Sequence, residues 1–199
     1  MDRVKAQLLD KSDLDRMLDR MAHQIVEAFD PAVDDASRLA LIGMQTRGVY
    51  LAQRLHDRIL ATDGIDLPMG VLDATMYRDD FRRRLRQPEI RVTRIPFDIT
   101  DRHLVLVDDV LYTGRTARAA LDALMDLGRP ASIRLLAVVD RGQRELPIRA
   151  DIVGRFVPTL PGEEVRVRLG EIDNSEGVWL VDPQADDSSD PDNEMKSQE

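Results

Sequence analysis

Two adjacent carboxylates, Asp108 and Asp109, stand just upstream of the run Thr113-Gly114-Arg115-Thr116. Thr-Gly-Arg-Thr at the start of a helix offers an anion backbone N–H groups, two hydroxyls and the positive end of the helix dipole, and Gly114 lets the backbone come close. Carboxylates repel a phosphate, but they accept hydrogen bonds from the vicinal hydroxyls of a sugar that carries it, or hold a magnesium ion. A phosphorylated ribose satisfies both ends. Two bare aspartates would otherwise read as a solvated strand end; the turn and helix behind them decide for the sugar phosphate. A Walker-type loop is excluded, since the Gly-Lys pair it needs is absent.

The elements around this stretch fit that use. Leu104 to Val107 is an uninterrupted apolar run, as in a strand covered on both faces of a parallel sheet, and the acidic pair is expected to stop it. The Ala-rich run Ala117 to Leu127 favours a helix, ended by Gly128 and Pro130. Arg38 to Gly43 reads as a first central strand, Gly43 to Gly48 as the loop after it, and the next residues as an amphipathic helix through Leu60. Ile133 to Val139 reads as a third parallel strand with Asp140-Arg141-Gly142 at its carboxyl end, where open α/β sheets bind ligands. Ahead of all these, Ser12 is expected to cap a helix to about Phe29 with Leu14, Leu18, Met21 and Ile25 as its buried stripe. Ile65 to Tyr77 reads as a long strand, Val92 to Ile99 as a return to the sheet, and Glu163 to Leu169 with Gly177 to Val181 as a hairpin across Asp173-Asn174-Ser175.

The wording of VLVDDVLYTGRT resembles the phosphoribosyl-pyrophosphate (PRPP) loop of type I phosphoribosyltransferases, and in particular the PyrR family of pyrimidine-operon attenuation regulators. The likeness extends through GMQTRGVYLAQRL (Gly43 to Leu55), LDATMYRDD (Leu72 to Asp80), DLGRPASIRLLAVVDRGQRELPIRAD (Asp126 to Asp151) and VPT (Val157 to Thr159). It covers about residue 14 to residue 182. It implies an α/β fold of the type I phosphoribosyltransferase kind: a central, mainly parallel sheet flanked by helices, with a projecting arginine-rich flap at about 78–94. A phosphoribosyltransferase domain over 1–182 and an acidic disordered tail over 183–199 are the expected division.

For the site, the resemblance implies that Asp108, Asp109, Val110, Leu111, Tyr112, Thr113, Gly114, Arg115 and Thr116 bind PRPP or nucleotide. It implies that Thr46 and Arg47 hold the pyrophosphate, often beside a non-proline cis peptide, and that Asp140, Arg141 and Val165 belong to the base and pyrophosphate pocket. Arg47, Asp108 and Asp109 are the residues expected to carry catalysis, with Mg²⁺ as cofactor, bound through PRPP and with the two aspartates as its candidate protein ligands. Arg78 to Arg94 holds seven arginines against three acids, so it can build little core; a flap that closes over pyrophosphate fits it, with Arg78 as the best single candidate. The implied activity is uracil + PRPP → UMP + pyrophosphate. A second implied role is UMP-responsive binding of pyrimidine-operon leader mRNA, in a homodimer or larger homo-oligomer. Purine salvage is an alternative enzyme, since hypoxanthine-guanine phosphoribosyltransferases share the cup and an Asp-x-Val-Gly element, here Asp151 to Gly154. A non-catalytic RNA-binding module is a third.

Composition sets bounds on these readings. A chain of 199 residues with 43% hydrophobic content can bury a core. No apolar run approaches the roughly 18 residues that span a bilayer and the start lacks a secretion signal, so a cytoplasmic protein with no membrane partner is expected. With no cysteine, thiolate and disulfide chemistry are excluded. The net charge of −9 argues at first against nucleic acid. Its distribution matters more: from Asp182 onward seven acids face only Lys196, which leaves about −3 for the rest. Arg16, Arg20 and His23 share a helix stripe, and Arg144, Arg149 and Arg155 cluster downstream; these six are the RNA-face candidates, or a solvated face balanced by nearby acids. The chain departs from the family pattern at EAFDP, at Gln143 in place of histidine, and at Leu160-Pro161-Gly162 in place of a small basic segment, all of which thin the positive surface.

Overall fold

The computed structural model describes residues 3–29, 38–78 and 92–183. Strands β2 (Leu39–Met44), β3 (Met69–Leu72), β4 (His103–Leu111), β5 (Ser132–Asp140) and β6 (Ile152–Phe156) form one sheet in the order β3-β2-β4-β5-β6, parallel throughout. Its central strands read as continuous apolar runs because both faces are covered. Helices α1 (Lys11–Glu27) and α2 (Arg47–Asp63) cover one face, where Leu14, Leu18, Met21 and Ile25 meet Leu41, Val105 and Leu136. Helix α3 (Arg115–Leu127) covers the other, its alanines packed on Ala40, Leu106 and Ala137. Three further strands, β1 (Arg3–Leu9), β7 (Glu164–Arg168) and β8 (Gly177–Asp182), form an antiparallel sheet in the order β1-β8-β7. Its inward residues Val165, Val167 and Val178 join the α1 and α2 core, so this small sheet roofs one side of the main one. Among the described residues, no helix is long and apolar enough to cross a membrane.

Several expectations need correction. The cap of α1 is Asp10: its carboxylate accepts the Asp13 N–H at 2.8 Å, while Asp13 returns a bond to the Asp10 N–H, and Ser12 only donates its hydroxyl to Asp10. β4 does not stop at the acidic pair; it runs on to Leu111 because β5 continues beside it, Val110 opposite Val139 and Leu111 opposite Asp140. The strand expected over Ile65 to Tyr77 is real only over Met69–Leu72, since Asp73 accepts the Thr75 N–H at 2.9 Å and turns the chain into a 3₁₀ segment, Thr75–Tyr77. Val92 to Ile99 makes a single antiparallel bridge, Arg94 to Val71, before Pro96 removes the next donor. His56 and His103, which read from the sequence as surface residues rather than metal ligands, are half-buried. β1 and β6 were not anticipated. Most of the flap, residues 79–91, and the tail from residue 184 lie outside the described residues.

Candidate functional site

The carboxyl ends of β2, β4 and β5 converge on one edge of the sheet. Asp108 is buried there, and Asp109 beside it is half-buried. The Asp109 N–H donates to Asp108 Oδ1 at 3.0 Å, and the Val110 N–H to Asp109 Oδ1 at 2.9 Å. Burial and the neighbouring charge of Asp109 push the Asp108 carboxyl well above the usual carboxylate range, against the bond from the Asp109 N–H. Beyond Leu111 the chain turns through Gly114, which caps α3 in the left-handed conformation at φ +89°. A side chain there would be strained, and its Cβ would also crowd Ile148 and Leu146 at 3.3 and 3.4 Å. The cup is buttressed from outside: the Thr113 carbonyl accepts the N–H groups of Glu145 and Leu146, and Arg115 pairs with Glu145 at 2.5 Å.

The turn after β2 brings in a second wall. The Gln45–Thr46 peptide is cis, as the resemblance implied. Gly48, in the first turn of α2, lies so close to β4 that a Cβ would stand 2.3 Å from the Val107 carbonyl oxygen, so glycine is what lets this loop press against the acidic pair. Arg47 begins α2 and pairs side-on with Asp173 of the β7–β8 turn, Nη2 to Oδ1 at 2.8 Å and Nε to Oδ2 at 3.2 Å. Arg47, Asp109, Val110, Val165, Arg168 and Asp173 all line a cleft of about 850 Å³, which Asn174 and Ser175 help to close. Arg78 lies over the start of α3, Nη1 3.3 Å from the Thr116 hydroxyl, and is near enough to Asp108 to favour its ionised form.

Not every residue singled out by sequence meets there. Asp140 and Arg141 are both buried but lie behind the cleft wall. Asp140 accepts the Gly142 N–H and pairs with Arg144 at 2.5 Å. Arg141 donates to the Thr159 hydroxyl and the Glu163 carbonyl and stacks 3.9 Å from the Tyr112 ring centre. Arg144 also donates to the carbonyls of Tyr112, Gly142 and Ile148, which makes it part of the loop's framework rather than a surface group. Arg16, Arg20 and His23 are exposed on α1, and Arg20 reaches the Gly154 carbonyl on β6, next to the exposed Arg155. Arg149 is exposed on the loop before β6. Asp173 and Arg168 are cleft residues that sequence reading passed over; the one available signal was a carboxylate in the turn of a hairpin whose apolar face had to point inward.

The comparisons fit this geometry. Residues 5–168 match the phosphoribosyl transferase domain family. The protein called Bifunctional protein PyrR in Deinococcus radiodurans is 52% identical over 180 residues, 90% of this chain and 96% of that one. Its namesake in Pelotomaculum thermopropionicum is 52% identical over 182 residues, 92% and 98% of the two chains. This chain belongs to the PyrR family of phosphoribosyltransferases. The fold of a PyrR-family chain is also that of more distant enzymes. A crystal structure of a hypoxanthine-guanine phosphoribosyltransferase from Leishmania tarentolae in complex with GMP superposes with a TM-score of 0.69 at 15% identity, covering 91% of this chain and 98% of that one. A Bacillus anthracis hypoxanthine-guanine phosphoribosyltransferase gives 0.67 at 17%, covering 91% and 99%. At such identities the likeness speaks for the type I phosphoribosyltransferase fold alone.

Proposed function

We propose that this chain transfers the phosphoribosyl group of PRPP to uracil, giving UMP and pyrophosphate, and that with UMP bound it recognises pyrimidine-operon leader mRNA in the cytoplasm. The observation that carries the first half is the placing of three parts at the carboxyl edge of the sheet: the Asp108-Asp109 pair on β4, the Gly114 turn that follows it, and Arg47 after β2, which lines one cleft with Asp109. Identity of about half to proteins called Bifunctional protein PyrR supports both halves.

The C1–O bond of PRPP breaks with its electron pair going to pyrophosphate, the uracil N1–C1 bond forms, and the N1 proton passes to water. The ribose passes through oxocarbenium character, so catalysis consists of positioning and charge stabilisation, and no covalent nucleophile is needed. Asp109, with Asp108 behind it, accepts the ribose hydroxyls. Thr113 to Thr116 fix the 5′-phosphate with backbone amides and hydroxyls. Arg47, Thr46 and the flap led by Arg78 balance the charge of the departing pyrophosphate. Val165 supplies an apolar wall to the base, and Asp140 and Arg141 hold that wall's backing loop. Mg²⁺ fits the donor set in a particular way: among the described residues no three His, Cys, Asp or Glu side chains converge to make a cage, which suits an ion carried by substrate phosphates and helped by one or two carboxylates. Such an ion would neutralise the diphosphate, with Asp109 and Asp108 as its protein partners.

Arg16, Arg20 and His23 on α1 and Arg155 on β6 form the proposed RNA face, with Arg149 at its edge. A homodimer or larger assembly would join two such patches. Incubation with PRPP and Mg²⁺ against uracil, hypoxanthine, guanine and orotate tests the enzyme; UMP formed from uracil alone is the expected outcome, and a purine nucleotide would replace this reading. A UMP-dependent mobility shift of the chain's own leader RNA tests the regulator.

A further inference from the structure

Arg47 alone makes a poor tool for one diphosphate: its long side chain has many rotamers, and about a third of it (35%) is exposed to solvent. In the cleft it is not left alone. We propose that Asp173 is a positioning residue for the pyrophosphate side of the reaction, holding the Arg47 guanidinium in the orientation that meets the leaving group. This rests on the function proposed above.

The geometry is a side-on fork, Nε and Nη2 of Arg47 against the two oxygens of Asp173. A guanidinium used side-on keeps its end-on edge, Nη1 and the second hydrogen of Nη2, for an anion, so the pair need not break for pyrophosphate to bind. Asp173 is itself fixed. Its Oδ2 accepts the Leu169 N–H at 3.0 Å, and its own N–H donates to the Leu169 carbonyl at 2.7 Å. The turn that carries it is clamped to α2 by a second arginine about two turns further along: Arg54 holds Glu171 at 2.7 and 2.8 Å and Glu176 at 2.6 Å. Burial alone would raise the Asp173 carboxyl, but the bonds from Arg47 and the Leu169 N–H outweigh it and keep the group ionised. The result is a guanidinium held from the β7–β8 turn, in the cleft that Asp109 also lines.

The experiment compares steady-state kinetics of wild type, Asp173→Asn, Arg47→Ala, the double variant, and Glu176→Gln, which removes one carboxylate charge from the Arg54 clamp while leaving its two bonds to Glu171 and the Arg47–Asp173 fork in place. Asp173→Asn is expected to raise the KM for PRPP and the inhibition constant of pyrophosphate about tenfold, with kcat and the KM for uracil within about twofold. In the Arg47→Ala background it should add nothing. Glu176→Gln should leave the KM for PRPP unchanged. Unchanged PRPP kinetics in Asp173→Asn, full additivity with Arg47→Ala, or an equal effect of Glu176→Gln each overturns the assignment. If the wild type forms no nucleotide from any base, the proposed function has failed instead. Calorimetric titration with magnesium pyrophosphate then decides this inference separately, weaker binding in Asp173→Asn being the expected result and equal binding the contrary one.

Discussion

The cleft and the outer face of α1 both gather arginines, yet they hold them in different ways. In the cleft, Arg47 is fixed by a carboxylate 126 residues away in sequence, and its neighbours come from β4, β7 and the β7–β8 turn. On α1, Arg16 is paired with Asp13 one turn back and His23 bonds the Asp19 carbonyl one turn back. Asp15 and Asp19 on the same helix are claimed by Arg58 of α2. A charge answered within its own helix turn is a solvated face by default, and exposed pairs of this kind contribute little. A guanidinium held on a fork by a carboxylate of a distant segment is fixed in orientation; Arg20 is an intermediate case, held by the distant Gly154 carbonyl with donors to spare. Counting arginines cannot separate these cases; asking which group each one is paired with, and from where, can.

The largest effect that could break this contrast lies in the cleft. Asp109→Asn should lower kcat for UMP formation by roughly a hundredfold or more, because a fixed acceptor for the ribose hydroxyls is lost where positive charge develops. Turnover within a few-fold of wild type would dissolve the assignment of the acidic pair. Gly114→Val comes next. At φ +89°, with Ile148 and Leu146 already in contact distance of a Cβ, it should cost about 1–3 kcal/mol of stability in urea unfolding and raise the KM for PRPP while leaving the fold intact.

How much of this was legible in the chain follows from the same distinction. The acidic pair, the Thr-Gly-Arg-Thr cup and the cores of β2, β4 and β5 could be read because each is local: an apolar run, a turn residue, a helix start. The β7–β8 hairpin was legible for the same reason, with Val165 paired to Leu180 as alternation required. What was missed is non-local. β1 has five exposed residues in a row and shows no alternation, so only its partner β8 makes it a strand. The same holds at the edge of the main sheet, where β6 buries Ile152 and then runs out to the exposed Arg155 and Phe156. Ser12 lost the cap to Asp10, which forms a reciprocal box with Asp13, whereas Asp15, three residues on from Ser12, is paired with Arg58 of α2. Asp173 looked like a turn residue because its partner, Arg47, is at the far end of the fold's sequence.

The outer face can be sharpened by a smaller effect. Arg20 and Arg155 each donate to one backbone carbonyl, of Gly154 and Leu8, which leaves further donors on each guanidinium for phosphates. If they meet leader RNA, the double variant Arg20→Glu/Arg155→Glu should weaken UMP-dependent RNA binding about tenfold and reduce the slope of log affinity against log salt by about 2. Uracil turnover should not change. RNA binding equal to wild type would return this face to solvent.

The smallest effect tests whether ion pairs outside the cleft matter only to stability. His56, on the same helix as Arg47, bonds Asp66 at 3.0 Å and Asp57 at 3.2 Å. Burial lowers its pKa, but the two carboxylates more than reverse this, and the folded value lies above the ordinary 6.5. A raised folded pKa means that the folded state binds the proton more tightly than the unfolded chain. The contribution is therefore fully present below about pH 6.5 and is lost as pH rises through the higher folded value. The stability difference between wild type and His56→Gln should accordingly be larger at about pH 5.5 than at about pH 8.5, by less than about 1 kcal/mol in urea unfolding. The ratio of their KM values for PRPP should stay near one at both. A pH-dependent KM ratio would mean that α2 transmits the state of His56 to Arg47, and the separation between aimed and merely balanced charges would no longer hold along that helix.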